Sequence, residues 1–147
     1  MARFFEELAE GEVSLSAART ITDADVRAFA DLTGDRNDIH LDEDAARQSR
    51  YGRRIAHGAF VFAASVGLLQ QDDARRPHII TLMGVERLRF LNPVFIGDTI
   101  RARQTVRSLG VVNAESGLLE AAVHVVNQSE RVAVSYVAKF LVRRSTR

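Results

Sequence analysis

The sequence predicts an α+β fold in which an antiparallel sheet packs around one buried helix. Three observations support this class. The chain has 147 residues, the length of one domain, and its 46% hydrophobic residues are enough for a core. Residues 59–69 are apolar on every side, which is typical of a buried helix. After Pro77 the pattern changes to an alternation of polar and apolar residues, which is typical of strands with one buried face.

The first elements follow from local signals. Residues 12–19 form a candidate edge strand. We expect Thr22 to be the N-cap of a helix. Asp23 and Asp25 follow it in the first turn, where carboxylates interact favourably with the positive end of the helix dipole. Gly34 is placed to end that helix. The sequence therefore predicts a short strand followed by one amphipathic helix.

A polar, irregular stretch separates this helix from the apolar one. We expect residues 35–54 to form a long loop with one turn of helix near residues 42–48. Ordered loops of this length are often functional in compact domains. His57 and Gly58 then introduce the central helix at residues 59–69.

About four antiparallel strands are predicted after residue 77. Pro93 breaks the pattern, and turns are expected at Gly97-Asp98 and at residues 127–130. The alternation predicts a solvated face and a buried face. The solvated set is Arg87, Arg89, Arg101, Arg103 and Arg107, and the buried set is Leu88, Phe90, Ile100, Ala102 and Val106. No linker or internal repeat divides the chain, so residues 1–147 are predicted to form a single domain.

Composition excludes several classes of protein. The formal net charge of +1 argues against bulk attraction to nucleic acid. The absence of cysteine excludes disulfides, thiol nucleophiles and Cys-ligated zinc. The N-terminal residues are acidic where a secretory signal would be basic, and the longest uncharged stretch, residues 55–71, is too short to span a bilayer. We therefore expect a cytoplasmic protein without membrane or nucleic-acid partners.

Asp35 and His40 are the residues best suited to chemistry. They lie five positions apart, just past a predicted helix end, where a curled loop can bring them together. A carboxylate can orient a water molecule while an imidazole that titrates near neutrality moves a proton. Taken alone, the spacing fits turn residues equally well. A calcium loop is excluded because its later ligands are missing, and Ser65 lacks the glycines of a nucleophile elbow.

The wider setting of this pair resembles a specific family. Phe-Ala-x-Leu-Thr-Gly-Asp-x-Asn-x-Ile-His-Leu-Asp at residues 29–42, followed by Arg-Ile-Ala-His-Gly at residues 54–58, is similar to the signature of the MaoC-like dehydratases. That family includes the (R)-specific enoyl-CoA hydratases (hydratase 2) and related 3-hydroxyacyl-ACP dehydratases. Gly84 and the Asn-Pro-Val-Phe-Ile-Gly-Asp run at residues 92–98 match later landmarks, so the resemblance covers nearly the whole chain.

The resemblance implies a hotdog fold and a hydro-lyase without a cofactor or a metal ion. It implies that Asp35 and His40 are the catalytic pair, and that the backbone N–H of Gly84 stabilises the oxyanion. The expected reaction is (R)-specific hydration of trans-2-enoyl thioesters, or the reverse dehydration of (R)-3-hydroxyacyl thioesters. The substrates would be acyl-CoA or acyl-carrier-protein thioesters. Which residue of the pair is the base is left open, as is the acyl chain length.

Two positions depart from the family pattern. Asp38 stands where the family usually has proline, and its charge is expected to raise the pKa of His40. Ala63 stands where some hydratases have a serine, so a hydroxyl contact to the pair is lost. His57 is expected to serve as a structural cap where the central helix begins.

The resemblance also implies an oligomer. A single hotdog unit suggests a homodimer or a higher homo-oligomer, and a heterodimer is left open. The alternatives are the catalytic subunit of a heteromeric 3-hydroxyacyl-ACP dehydratase and a non-catalytic, partner-dependent hotdog subunit. A hotdog thioesterase is disfavoured because residues 59–70 contain no carboxylate.

Overall fold

The computed structural model describes residues 1–72 and 76–146, which form one sheet with helices packed on it. A 3₁₀ turn at Phe5–Glu7 precedes the main elements. Within the described residues these are, in chain order, β1 (Val13–Leu15), β2 (Arg19–Thr20), α1 (Asp23–Thr33), α2 (Asp38–Leu41), α3 (Glu43–Gln48), α4 (Gly58–Leu69), β3 (Ile79–Phe90), β4 (Thr99–Val111), β5 (Ser116–Val126) and β6 (Val132–Arg143).

The sheet is antiparallel, with the strand order β1-β4-β5-β6-β3, and β2 pairs with β4. Side chains alternate between buried and partly exposed along β5 and β6, as expected for strands with one face on the core. Helix α4 packs against β4, β5 and β6. The prediction of an α+β fold with a sheet around one central helix is confirmed.

Helix α1 begins and ends as its sequence predicts. The Thr22 hydroxyl accepts a hydrogen bond from Asp25 N–H at 3.1 Å, and the Asp25 carboxylate accepts one from Thr22 N–H at 3.0 Å. This reciprocal pair satisfies two backbone donors at the helix start. Gly34 ends the helix in the left-handed conformation, with φ of 80°. The position of Asp35 is therefore fixed relative to the end of α1.

The stretch predicted as a long loop with one turn of helix contains two short helices. The turn predicted near residues 42–48 is confirmed as α3, whereas α2 was not predicted. The Asn37 side chain caps α2 by accepting from Ile39 N–H at 3.2 Å. The Asp42 side chain caps α3 by accepting from the N–H groups of Asp44 and Ala45. The polar residues that suggest a loop are thus the caps of two short helices. As a result His40 lies on a helix, where its orientation is fixed.

Helix α4 is buried and begins one residue before the predicted position. Ser65 is fully buried and hydrogen-bonds to the Tyr136 hydroxyl at 2.7 Å, so Ser65 has a structural role. Burial raises the pKa of Tyr136 to about 12, which keeps this phenol neutral. In the described part of the chain, no helix is both long and apolar enough to cross a membrane.

Strand β3 departs from simple alternation. Arg87 has a positive φ of 53°, and the pairing register with β6 shifts between Glu86 and Arg89. A bulge of this kind bends the strand and interrupts its pairing. Phe90, predicted to be buried, is 56% exposed because its ring lies over Gly58 at the start of α4 and lines an open cavity there. The buried positions predicted on β4, Ile100, Ala102 and Val106, are confirmed.

Candidate active site

Asp35 and His40 converge with a third residue, His57. Each contributes one side-chain atom, and these three atoms all lie within 4.8 Å of one another. Asp35 is exposed, whereas His40 is 8% and His57 2% exposed. The site therefore combines a carboxylate open to solvent with two buried imidazoles.

The hydrogen bond made by His40 fixes its tautomer. Its Nδ1 lies 2.8 Å from the carbonyl oxygen of Ile55, and a carbonyl only accepts, so Nδ1 carries the proton. In the neutral ring Nε2 then has a free lone pair. His40 thus has one nitrogen anchored to the main chain and one available for proton transfer.

The pKa of His40 is lowered, chiefly because burial disfavours the charged ring. The bond to Ile55 and the charge of Asp35 oppose the shift, while His57 and Arg54 add to it. Asp38 is not among the causes. The expectation that Asp38 raises the pKa of His40 is therefore wrong.

Asp38 occupies the first position of α2, directly after the Asn37 cap. A carboxylate there interacts favourably with the positive end of the helix. Proline is also favoured at this position, because its missing N–H would have no partner within the helix. Asp38 and the family's usual proline are therefore two solutions to the same local requirement.

Asp35 is held by its own turn. Its N–H donates to the Thr33 hydroxyl at 3.2 Å, and its Oδ1 accepts from Asn37 N–H at 3.3 Å. These contacts orient the carboxylate with one oxygen committed to the backbone. Oδ2 makes no hydrogen bond to the described residues, which leaves it available to a water molecule.

The side chain of His57 does not make the capping contact predicted for it. His57 occupies the N-cap position of α4, but its side chain makes no capping hydrogen bond. Instead Nε2 donates to the main-chain oxygen of Asp35 at 2.9 Å, and the ring stacks on His40 with centroids 3.8 Å apart. The sequence places His57 at the helix start, but the fold alone turns its ring toward the pair.

Arg54 is a site residue that sequence reasoning missed. Its side chain is 6% exposed, and its Nε donates to the main-chain oxygen of His40 at 2.6 Å. The same guanidinium pairs with Asp23 at 2.6 Å and with Glu43 at 3.3 Å. Arg54 therefore ties α2 to α1 and α3. Its place in the motif before His57 was the available signal.

Gly84 lies on β3, where the register with β6 shifts between Leu82 and Gly84. In residues 1–72 and 76–146, no hydrogen bond or ring contact joins Gly84 to Asp35 or His40. A Cβ added to Gly84 would meet no atom within 4 Å. The space in front of this backbone is open, and its predicted role as an oxyanion donor stays a prediction.

A cavity of about 820 Å³ lies against the segment that joins α3 to α4. Ile55, which anchors His40, lines it together with Ala56 and Gly58 on either side of His57. Phe90 also lines it and lies directly over Gly58, where a Cβ would come within 2.7 Å of the ring. The remaining lining residues are mostly apolar, with charged and polar groups at Arg50, Asn92 and Arg131. Such a cavity suits a ligand with an apolar part and a polar part.

Comparison with known proteins gives the family. The profile of the family described as MaoC like domain matches residues 4–129. The chain belongs to the MaoC-like domain family. The protein named MaoC from Klebsiella aerogenes is 41% identical over 78% of this MaoC-like chain, which spans 33% of that protein's length. An (R)-specific enoyl-CoA hydratase from Rhodospirillum rubrum is 38% identical, covering 72% of this chain and 71% of its own.

Full-length likeness is found as well. The 3-hydroxyacyl-thioester dehydratase Z of Mycobacterium tuberculosis is 33% identical and covers 96% of this MaoC-like chain and 97% of its own. The crystal structure of a MaoC-like dehydratase from Rhodospirillum rubrum superposes with a TM-score of 0.85 at 28% identity, covering 97% of both chains. A Mycobacterium tuberculosis protein with a double hotdog fold, at 20% identity, matches 98% of this chain and 45% of its own with a TM-score of 0.86. These relatives confirm the predicted family, the hotdog fold and the hydro-lyase class.

Proposed function

We propose that this protein hydrates trans-2-enoyl thioesters to (R)-3-hydroxyacyl thioesters, or catalyses the reverse dehydration, with a water molecule held between Asp35 and His40. The observation that carries the proposal is the meeting of an exposed carboxylate and a buried, neutral imidazole beside a half-apolar cavity. Relatives named as an enoyl-CoA hydratase and a hydroxyacyl-thioester dehydratase support the substrate class.

The assignment of the base follows from the tautomer of His40. Its free Nε2 lone pair takes a proton from the water, which Asp35 orients through its available oxygen. The water oxygen bonds to the β-carbon while the π electrons of the double bond move toward the thioester carbonyl. The proton on Nε2 then passes to the α-carbon as the enolate collapses. Water is added in full, and both side chains return to their starting state.

The enolate oxygen requires a fixed donor, and we assign this role to the backbone N–H of Gly84. The open space in front of Gly84 supports the assignment, since a thioester can approach where no side chain intervenes. Loss of one oxyanion donor costs about 2.7–4 kcal/mol in other enzymes. Gly84→Ala is a sensitive probe: its φ is not positive and its methyl group meets no atom, so the fold should tolerate it. The added methyl group would stand where the thioester approaches. We therefore expect Gly84→Ala to raise KM and to leave the melting temperature unchanged.

The proposal is tested by following the conjugated-thioester absorbance of crotonyl-CoA and longer enoyl-CoA or enoyl-carrier-protein substrates. Asp35→Asn and His40→Ala should each lower kcat by a factor of about 100 or more, the usual scale of general acid–base catalysis. Asp31→Asn and His124→Ala are matched controls, because both residues are exposed and lie on other elements. Full activity in either site variant would exclude the assigned pair. Inactivity of the wild-type chain on every thioester would favour the partner-dependent subunit.

We also propose that two copies of the chain pair through β3. Within the described residues β3 pairs only with β6, so its other edge presents unpaired backbone groups. Four apolar side chains on this strand are exposed: Ile80, Leu82, Met83 and Phe90. A long, apolar edge strand of this kind is a usual site of strand pairing between chains. Pairing of β3 with its copy would extend the sheet across a homodimer.

A further inference from the structure

Four aromatic rings form a continuous row that ends at the catalytic pair. Phe60 on α4 packs on Phe29 of α1 with ring centroids 5.4 Å apart, and Phe29 packs on His57 at 4.9 Å. His57 in turn stacks on His40 at 3.8 Å. The ring of His40 therefore rests on a support that reaches back to two helices.

The first contact of His57 is with the backbone of Asp35. Because the Asp35 carbonyl only accepts, His57 Nε2 must donate the proton in the 2.9 Å hydrogen bond. Asp35 lies outside α1, directly after the Gly34 helix end. The bond from His57 thus anchors the main chain of Asp35. The Asp35 side chain itself is held by the hydrogen bond from Asn37 N–H in the same turn.

The second contact is with the ring of His40. The two rings are nearly parallel, at 28°. His57 Nδ1 is buried and has no hydrogen-bond partner in the described part of the chain. With Nε2 bonded to the Asp35 carbonyl and Nδ1 enclosed by protein, both ring nitrogens of His57 are held away from solvent. His57 therefore acts as a fixed support.

We infer that His57 is a positioning residue of the catalytic pair: it holds Asp35 through the main chain and His40 through ring stacking, so that both reacting groups are placed by the N-cap residue of the central helix. The kinetic effects expected of His57 variants rest on the proposed function. His57 adds a third residue to the assigned pair. Histidine suits the position because one side chain supplies both a flat ring and an N–H donor.

A pH readout separates this role from a general structural one. The charged and titratable groups that act on His40 are His57 itself, Asp35 and Arg54. The pKa of His40 is lowered mainly by burial, and the His57 ring covers one of its faces. Removing that ring admits water to His40 and moves its pKa toward the ordinary value. The acid limb of kcat/KM then moves to higher pH.

Two substitutions separate the two contacts. His57→Gln keeps an N–H donor at similar reach but removes the ring, whereas His57→Phe keeps the ring and removes the donor. His57→Gln should move the NMR-measured pKa of His40 upward, with the acid limb of kcat/KM following it. His57→Phe should leave that pKa near the wild-type value and lower kcat by about 10- to 100-fold, because Asp35 is no longer held in place. KM should change little in both.

His78→Gln and His78→Phe are matched controls, since His78 also packs on an aromatic ring, that of Phe4, at 4.6 Å. If both His57 variants keep the wild-type His40 titration and kcat per folded molecule, and lose only thermal stability, the inference is overturned. Equal shifts of the His40 titration in both variants would overturn the division into two contacts. The NMR titration needs no turnover, so it decides the contact with His40 even if no thioester is a substrate.

Discussion

Single residues set the protonation state of the site, and His40 is the clearest case. Burial lowers the pKa of His40, and the carbonyl of Ile55 selects the tautomer with a free Nε2. If neutral His40 is the base of hydration, activity requires pH above its pKa. We expect the acid limb of kcat/KM for hydration to lie below the ordinary histidine value of about 6.5. A pH–rate profile with crotonyl-CoA measures this; an acid limb above that value would contradict it.

The same shift links the stability of the fold to pH. The unfolded chain binds the His40 proton more tightly than the folded chain, so the contribution of neutral His40 is present above about pH 6.5 and is lost as pH falls through the lowered pKa. His40→Gln should flatten the acid side of the stability–pH curve. Denaturant titrations of both proteins at several pH values provide the comparison, with His124→Gln as the exposed control.

Asp38 is another position where one residue can be exchanged with a defined result. Asn37 before it has φ of −56° and ψ of 134°, the extended conformation that a following proline requires. In the described residues Asp38 N–H donates no hydrogen bond, so proline would remove none. Asp38→Pro should therefore raise the free energy of unfolding by about 0.4–1 kcal/mol and leave the His40 titration unchanged. A large loss of stability in a denaturant titration would contradict the prediction, because it would mean that the backbone at Asn37 and Asp38 does not accept proline.

The sequence singles out the candidate pair more readily than the residues that support it. Asp35 and His40 stand in a motif with a recognisable order, so they can be chosen without a structure. The roles of Arg54 and His57 depend on contacts with residues 14 and 22 positions earlier, which no local pattern encodes. The role expected of Asp38 was wrong because proximity in sequence was taken for electrostatic contact, whereas burial governs the pKa of His40.

At the scale of elements, Arg54 joins three helices through one buried guanidinium. It donates to the backbone of His40 on α2 and pairs with Asp23 on α1 and Glu43 on α3. Arginine can make these contacts together because its donors are arranged in a planar fork, whereas a lysine ammonium is a single point. The clamp holds the short α2, which four residues alone could not keep folded.

Arg54→Met should lower the free energy of unfolding by about 1–3 kcal/mol, because the His40 carbonyl loses its buried donor. It should also lower kcat, since α2 carries His40. Arg54→Lys should fall between wild type and Arg54→Met. Arg27→Lys is the control, because Arg27 also pairs with Asp23 but is largely exposed, and exposed pairs contribute little. Denaturant titration with kinetics on the same samples measures both effects; equal stability of Arg54→Met and Arg27→Lys would exclude the clamp.

Sequence periodicity predicts some helices and strands of this chain well and others poorly. Helix α1 and strand β4 follow their patterns closely, because caps and alternation are local properties. The bulge at Arg87 in β3 is not local: it depends on the register with β6, which lies more than forty residues later. Helix α2, which lies in the expected loop, was missed for a related reason, since cap residues and loop residues are of the same types.

At the scale of the whole molecule, the free edge of β3 predicts a dimer. Met83 is 60% exposed on that strand, and a charge placed there should oppose pairing of two copies. We expect wild-type protein to sediment as a dimer and Met83→Lys to shift it toward monomer. Val13→Lys is the matched control, because Val13 is similarly exposed but lies on β1 at the other end of the sheet. A monomeric wild type, or dissociation by Val13→Lys alone, would contradict pairing through β3.

Three of the hydrogen bonds that fix the site end on main-chain oxygens: His40 on Ile55, Arg54 on His40, and His57 on Asp35. A carbonyl remains in place whatever side chain its residue carries. Ile55 can therefore vary on its cavity side while its oxygen continues to orient His40. Side chains along the cavity can thus be exchanged, and substrate preference can change with them, without a compensating change at Asp35 or His40.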